Sequence, residues 1–335
     1  MFELSAGTNA DSIRGVHSKH GTAMSKRILS IIDPTSEEQP GAERAAWLAE
    51  KLGTDLELFV CEYDQHLFNG WSFEGKSLEK ARKRLLDKEM KRLTKMAREF
   101  STDGVDVSVD VKWGHPLHEG IVRKAVSSRS SIVVKDTHYH TAFRRSIFSN
   151  TDWNLIRECP VPLLLVKPNG PKESFVIIAA VDPMHEHDKP AALDHEILRT
   201  AETLSAATGA PMHVLHTFDP SLAYAVSVDA MTSPISTPLN MILEQLRRKH
   251  EASMEALIKP YAVPRENVHV IDGGTPEVLG ALVEEINAGV VIMGAVSRSV
   301  MQRFVIGSTA ERVLDHLPCD LLVVKPEGFV SSIVS

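Results

Sequence analysis

The stretch ECPVPLLLVKP at residues 158–168 returns as HLPCDLLVVKP at residues 316–326, an offset of 158 positions. Each version is a short apolar run closed by Lys-Pro, as expected of a buried strand that stops at a turn. Carried backwards at the same offset, the match continues: Phe148 meets Ile306, Thr151 meets Thr309 and Ile156 meets Leu314. WGHP (113–116) resembles GGTP (273–276), and RILSIIDP (27–34) resembles FVIIAAVDP (175–183). The chain therefore reads as two tandem copies, residues 24–168 and 174–327, joined at Pro168-Asn169-Gly170-Pro171. Residues 1–23 are polar and aperiodic and read as a disordered leader, with Met24 as the candidate natural start.

Within each copy, apolar runs alternate with amphipathic segments. Strands are expected at 28–32, 56–61, 105–111, 132–134 and up to Lys167, and again at 176–181, 213–217, 268–271, 290–293 and up to Lys325. Helices are expected between them. Those over 42–52 and 193–208 each stop before a glycine, Gly53 or Gly209, suited to a helix C-cap. Strands that are apolar throughout and separated by helices predict an α/β fold with parallel sheets covered on both faces. Such a fold places a ligand beyond the C-terminal strand ends, where strand order reverses.

Composition narrows the function. Of 335 residues, 43% are hydrophobic, enough for a sizeable core. Lys and Arg total 37 against 44 Asp and Glu, a net charge of −7, which argues against a broad nucleic-acid surface. No apolar run approaches membrane-spanning length, so no membrane insertion is expected. Cys61, Cys159 and Cys319 form no CxxC and no disulfide framework, which suits a reducing, cytoplasmic setting; Cys159 and Cys319, near equivalent strand starts, read as buried small hydrophobes.

The informative loop is MGAVSRSVMQRFVIGSTAERVL (293–314), which leaves the fourth strand of copy two and enters a helix. Gly294 allows close backbone approach to a ligand. Gly307, Ser308 and Thr309 stand at the helix start, where free N–H groups and the helix dipole favour a phosphate. Arg298 and Arg303 add positive charge. The alternative is an ordinary strand–loop–helix turn with a Ser/Thr N-cap. Asp182, directly after the first strand of copy two, is placed either to accept hydrogen bonds from a base or ribose or to make an Asx-turn.

These residues resemble the universal stress protein family in its tandem form. The family motif is G-x2-G-x9-G-[ST]; copy two reads Gly294-x2-Ser297-x9-Gly307-Ser308, keeping the spacing with Ser297 in place of the second glycine. The resemblance covers Lys26 to Glu327. It implies two adenine nucleotide alpha hydrolase-like domains, each a five-stranded parallel sheet in the order 3-2-1-4-5 with helices on both faces. It also implies ATP as ligand, with a Mg²⁺ companion left open. Asp182 then matches the acid on the adenine and ribose side, and Met293, Gly294, Gly307, Ser308 and Thr309 match the ribose and phosphate loop. Where Ser297 must take φ > 0 it costs about 1–2 kcal/mol and weakens ATP binding.

Copy one departs from the motif. At the matching positions it carries Asp136, Tyr139, Ser149 and Asn150, so every loop glycine is gone and a carboxylate stands near the expected phosphates. Copy one is therefore not expected to bind ATP, and Asp33 reads as a turn residue. The resemblance further implies that the two fifth strands pair antiparallel as an internal pseudo-dimer, which removes an exposed edge. A further homodimer is left open.

Other features keep rival readings open. The loops at 65–77, with Phe68, Trp71 and Phe73, and 221–240, with Tyr224, Val226, Val228, Met231 and Ile235, are long and apolar. They suit lids, a dimer surface, a pocket for an amphiphilic ligand, or simple core capping. His185-Glu186-His187-Asp188 lacks further metal ligands in the sequence, and His138-Tyr139-His140 marks a remodelled or solvent-facing loop. No nucleophile elbow, Walker loop or HExxH is present, so no catalytic residue is assigned. The expected role is a stress-response sensor or regulator that binds ATP in copy two and is read by a protein partner. A weak ATP hydrolase or phosphotransferase and a nucleotide-independent binder remain as alternatives.

Overall fold

The structure, a computed structural model, describes residues 27–63, 75–102, 104–137, 149–168, 175–184, 191–221, 239–295 and 317–335. The leader, the loops rich in aromatics, His138–His140 and the segment 185–190 lie outside the described residues.

Copy one supplies β1 (Arg27–Ile31), α1 (Pro40–Leu52), β2 (Asp55–Glu62), α2 (Gly75–Phe100), β3 (Val107–Trp113), α3 (Leu117–Ser127), β4 (Ser130–Asp136), α4 (Asn150–Glu158) and β5 (Leu163–Val166). Copy two supplies β6 (Ile177–Ala180), α5 (Ala191–Thr208), β7 (Met212–Phe218), α6 (Leu239–Ile258), β8 (Val268–Asp272), α7 (Thr275–Glu285), β9 (Val290–Gly294) and β10 (Asp320–Val324). The third strand of copy one begins two residues later than the sequence predicts. Val105 instead forms an isolated bridge with Thr102, and its N–H bonds the Thr102 carbonyl at 3.2 Å.

All ten strands form one sheet in the order β3-β2-β1-β4-β5-β10-β9-β6-β7-β8. Each half has the expected 3-2-1-4-5 order, and neighbours within a half are parallel. The halves meet through β5 and β10, which run antiparallel with Leu165 opposite Leu321, Leu164 opposite Leu322 and Leu163 opposite Val323. Since the repeat offset is 158, Leu322 is the counterpart of Leu164, and the pseudo-twofold axis passes through that pair.

Alternate residues of the strands feed two core layers that run across both copies. Ile28, Val60, Val134, Ile177, Val214 and Ile292 face α1, α2, α5 and α6. Leu29, Phe59, Val133, Ile178, Leu215 and Val291 face α3, α4 and α7. Gly53 and Gly209 end α1 and α5 in the left-handed region, at φ +60° and +71°, as C-cap glycines should. The three cysteines are buried, and burial is the main cause pushing their thiols up to about 11, 11 and 12 for Cys61, Cys159 and Cys319, so they stay neutral.

Side chains close one end of the seam. Asp320, fully buried, accepts the Lys167 backbone N–H at 3.0 Å and pairs with Arg44 Nε at 3.1 Å. Arg44 lies over Trp47 and Phe175, which pack edge to face at 4.7 Å. At the other end, Glu158 Oε2 accepts the Ser331 hydroxyl, the Ser332 hydroxyl and the Ser332 N–H, tying the chain's last residues back to copy one.

Burial pushes the Asp320 carboxyl up to about 6, against the opposing pull of Arg44 and the Lys167 N–H. The folded state thus holds a proton on Asp320 that the unfolded chain has released above about 4, and stability falls as pH rises through that window. Relative to Asp320→Asn, urea unfolding of the native chain should lose about 2–3 kcal/mol between about pH 4 and 6, then level off. Parallel stability curves for the two proteins across that range would refute the assignment.

Candidate functional site

Strand order reverses between β6 and β9, and the crevice outside their C-terminal ends is the position where this topology admits a ligand. The register places Ala180 opposite Met293, so Val181 and Asp182 leave β6 beside Gly294. Asp182, Met293 and Gly294 are therefore neighbours at these strand ends. Ser297, Arg298, Gly307, Ser308 and Thr309 lie outside the described residues.

Asp182 is 8% exposed. Its backbone N–H donates to Asp194 Oδ1 at 3.1 Å, which fixes the turn into α5. Asp194 is fully buried in the first turn of that helix, where the dipole favours a carboxylate. Asp182 Oδ2 is buried and accepts no hydrogen bond among the described residues. A buried carboxylate oxygen left without a donor costs on the order of 1–3 kcal/mol, so such an atom calls for an explanation.

Behind the turn stands a pair of buried histidines that sequence reading does not single out. His216 on β7 and His250 on α6 are each 1% exposed. His216 Nδ1 lies 3.3 Å from the Val181 carbonyl, and its Nε2 lies 2.8 Å from His250 Nδ1. With both rings neutral, the carbonyl requires the proton on His216 Nδ1, which leaves Nε2 to accept from His250. Phe218 stacks on His250 at 4.4 Å. The pair anchors the carbonyl immediately before Asp182. Its signal in the sequence is a histidine at an inward position of an apolar strand, but the partner is 34 residues away on another element.

Gly294 is required by packing. A Cβ there would come within 2.7 Å of Leu193 Cγ, and Leu193 is fully buried at the start of α5. Copy one exchanges the roles. Asp136 stands in place of Gly294, and its carboxylate accepts the N–H of Gly41 at the start of α1. There the glycine is on the helix: a Cβ on Gly41 would lie 2.8 Å from Asp136 Oδ1.

Other described groups at the copy-one crevice are likewise bonded to their own neighbours. Asp152, fully buried in the first turn of α4, accepts the Ser149 N–H and hydroxyl, both at 2.8 Å, in a capping box, and pairs with Lys135 at 2.8 Å. Asp33 Oδ1 accepts the Thr35 N–H and hydroxyl at 2.7 and 2.6 Å, the turn role expected of it. Gln39 and Arg92 bond the carbonyls of Asp33 and Ser36, closing the loop after β1. Both helix N-termini that could receive a phosphate in copy one hold protein carboxylates.

The universal stress protein family model matches residues 24–167 and 177–325. The chain belongs to the universal stress protein family. It is 29% identical over 316 residues to universal stress protein E of Salmonella typhi, covering 92% of this chain and 96% of that one, and the Escherichia coli K12 protein matches equally. The Haemophilus influenzae homologue is 25% identical over 309 residues, with 90% and 97% covered. Among solved structures, a Pseudomonas aeruginosa protein described as a universal stress protein superposes with a TM-score of 0.67 at 23% identity, covering 91% of this chain and 94% of its own. A universal stress protein from Archaeoglobus fulgidus gives 0.61 at 17%, with 90% and 99% covered. These likenesses place this universal stress protein in a two-copy fold that spans nearly the whole chain.

Gly294→Ala should destabilise the protein by about 1–3 kcal/mol through overpacking against Leu193. Adding Leu193→Ala should remove most of the overpacking component. Thermal denaturation of the single and double variants checks this, and strictly additive losses would show that the two positions do not touch.

Proposed function

We propose that this universal stress protein binds ATP in the crevice of copy two, and that copy one is a scaffold. The observation that carries the reading is Asp182 Oδ2, buried at the switch point with no donor among the described residues. A ribose hydroxyl or an adenine amino group would supply a hydrogen bond to it, and the backbone that carries the carboxylate is held by Asp194 and by the His216–His250 pair. The corresponding residue of copy one, Asp33, has its Oδ1 engaged by Thr35, and that copy's helix starts carry Asp136 and Asp152. One crevice is thus suited to a nucleotide and the other closed by its own carboxylates. In copy two, Gly307, Ser308 and Thr309 would hold the phosphates, with Arg298 nearby, Ser297 moderating affinity and Mg²⁺ accompanying the triphosphate.

The role that follows is a cytoplasmic stress-response sensor or regulator. Nucleotide would order the loop 294–309 and change a surface read by a protein partner. Among the described residues no helix is long and apolar enough to cross a membrane.

Equilibrium binding of ATP to the full chain tests the reading. Asp182→Ala should weaken binding by about tenfold, the cost of one hydrogen bond to a charged acceptor, while Asp33→Ala leaves it unchanged. ATP should also protect amides near Gly307 from hydrogen exchange. No binding at millimolar ATP, or equal loss from both variants, refutes the proposal. ADP formation abolished by Gly307→Val would replace the sensor by a hydrolase.

A further inference from the structure

The seam between the copies has two ends related by the pseudo-twofold axis, and they are finished differently. At one end β5 exits at Lys167, and the carboxylate of Asp320 fills the space beside it, bonded to the Lys167 N–H and to Arg44. At the other end β10 exits at Lys325, the counterpart of Lys167. The residue at the position of Asp320 is there Pro162, which carries no acceptor on its side chain. A cleft of about 250 Å³ opens at this end, lined by Pro160, Pro162, Glu196, Thr200, Lys325 and Phe329 among others.

Lys325 is 8% exposed. Among the described residues its Nζ makes no hydrogen bond and no ion pair; it lies 4.7 Å from the centroid of the Phe329 ring, on the wall of the same cleft. Lys325 is also the one cation among the cleft's described lining residues. The nearby carboxylates are committed elsewhere or open to solvent. Glu158 accepts three donors from Ser331 and Ser332, Glu196 pairs with Arg199, and Glu327 is exposed. A nearly buried ammonium with no hydrogen-bond acceptor among the described residues is costly, the Glu158 carboxylate offsets that cost only at a distance, and a small anion in the cleft lowers it directly.

We propose that this end of the seam is a binding site for a small monocarboxylate, whose carboxylate takes on Lys325 the place that Asp320 holds at the opposite end and whose apolar part packs on Pro160, Pro162 and Phe329. Glu196 and Glu327 at the rim disfavour a dianion, which sets the preference for a single charge.

The charge state of the lysine gives the site a pH signature. Desolvation is the main cause drawing Lys325 down to about 8, opposed by the Glu158 carboxylate at the end of α4. Glu196 from α5 and Glu327 from the C-terminal segment are the other ionisable groups of the cleft, and Cys159 stays a neutral thiol. Binding requires both the ammonium and the ligand's carboxylate, so affinity is full between about pH 6 and 8 and falls about tenfold per unit above that range.

The test uses the full chain without nucleotide, so its outcome is independent of ATP binding. Carbon-13-labelled acetate is titrated at pH 7 and followed by NMR, with chloride holding ionic strength constant. Saturable binding is expected, at least tenfold weaker in Lys325→Gln, retained in Lys325→Arg, and blocked in Pro162→Asp, which transplants the carboxylate of the sealed end. Sulfate should fail to compete. Absence of saturable binding, or binding unchanged in Lys325→Gln, overturns the site; competition by sulfate as strong as by acetate overturns the preference for a monoanion. If Pro162→Asp does not fold, the two Lys325 variants decide the question.

Discussion

The antiparallel pairing of β5 with β10 is the contact on which the rest of the molecule depends. Each copy alone would end in an open strand of Leu and Val with unpaired backbone groups, a template for aggregation. Joining the copies through these strands pairs the two edges with each other. It also merges the core layers, so that α1 and α5 pack side by side on one face while α3, α4 and α7 share the other. Leu163, Leu164, Leu165, Leu321 and Leu322 are each no more than 1% exposed, and burial of such side chains stabilises by about 1.5–3 kcal/mol apiece.

A twofold join constrains the backbones of the two copies while leaving the crevices at their strand ends free to diverge. The divergence is electrostatic. In copy one, Asp136 and Asp152 supply negative charge to helix N-termini from within the protein, and Lys135 balances Asp152. In copy two, the position of Asp136 is Gly294, against which Leu193 packs, and the carboxylate at the crevice is Asp182. The same exchange recurs at the seam, where Asp320 is matched by Pro162. In each case one half carries its own anion where the other does not. Internal carboxylates can stabilise a helix start as a bound anion can.

Much of this was legible in the sequence. The repeated Lys-Pro closures and the strand–helix alternation carried the fold, because buried parallel strands must be apolar throughout and cannot be confused with solvent-facing ones. Asp182 and Gly294 were visible as residues following apolar strands. The His216–His250 pair was not, because a lone histidine in a strand and another in a charged helix have no local pattern linking them. Nor was the packing role of Gly294, since its partner Leu193 is an ordinary apolar helix residue about a hundred positions upstream.

By itself the sequence determined that two α/β copies lie in tandem, that only the second keeps the spacing of a phosphate loop, and that no catalytic signature accompanies it. These are properties of periodicity and local residue chemistry, which a linear string records. Only the tertiary structure decided what each carboxylate meets: Asp33 Oδ1 bonded within its turn, Asp136 Oδ1 on a helix start, Asp320 paired with Arg44, and Asp182 with one buried oxygen that accepts no hydrogen bond among the described residues at the switch point. Satisfaction of a buried polar group depends on donors brought from distant parts of the chain, and that information exists only once the sheet has closed.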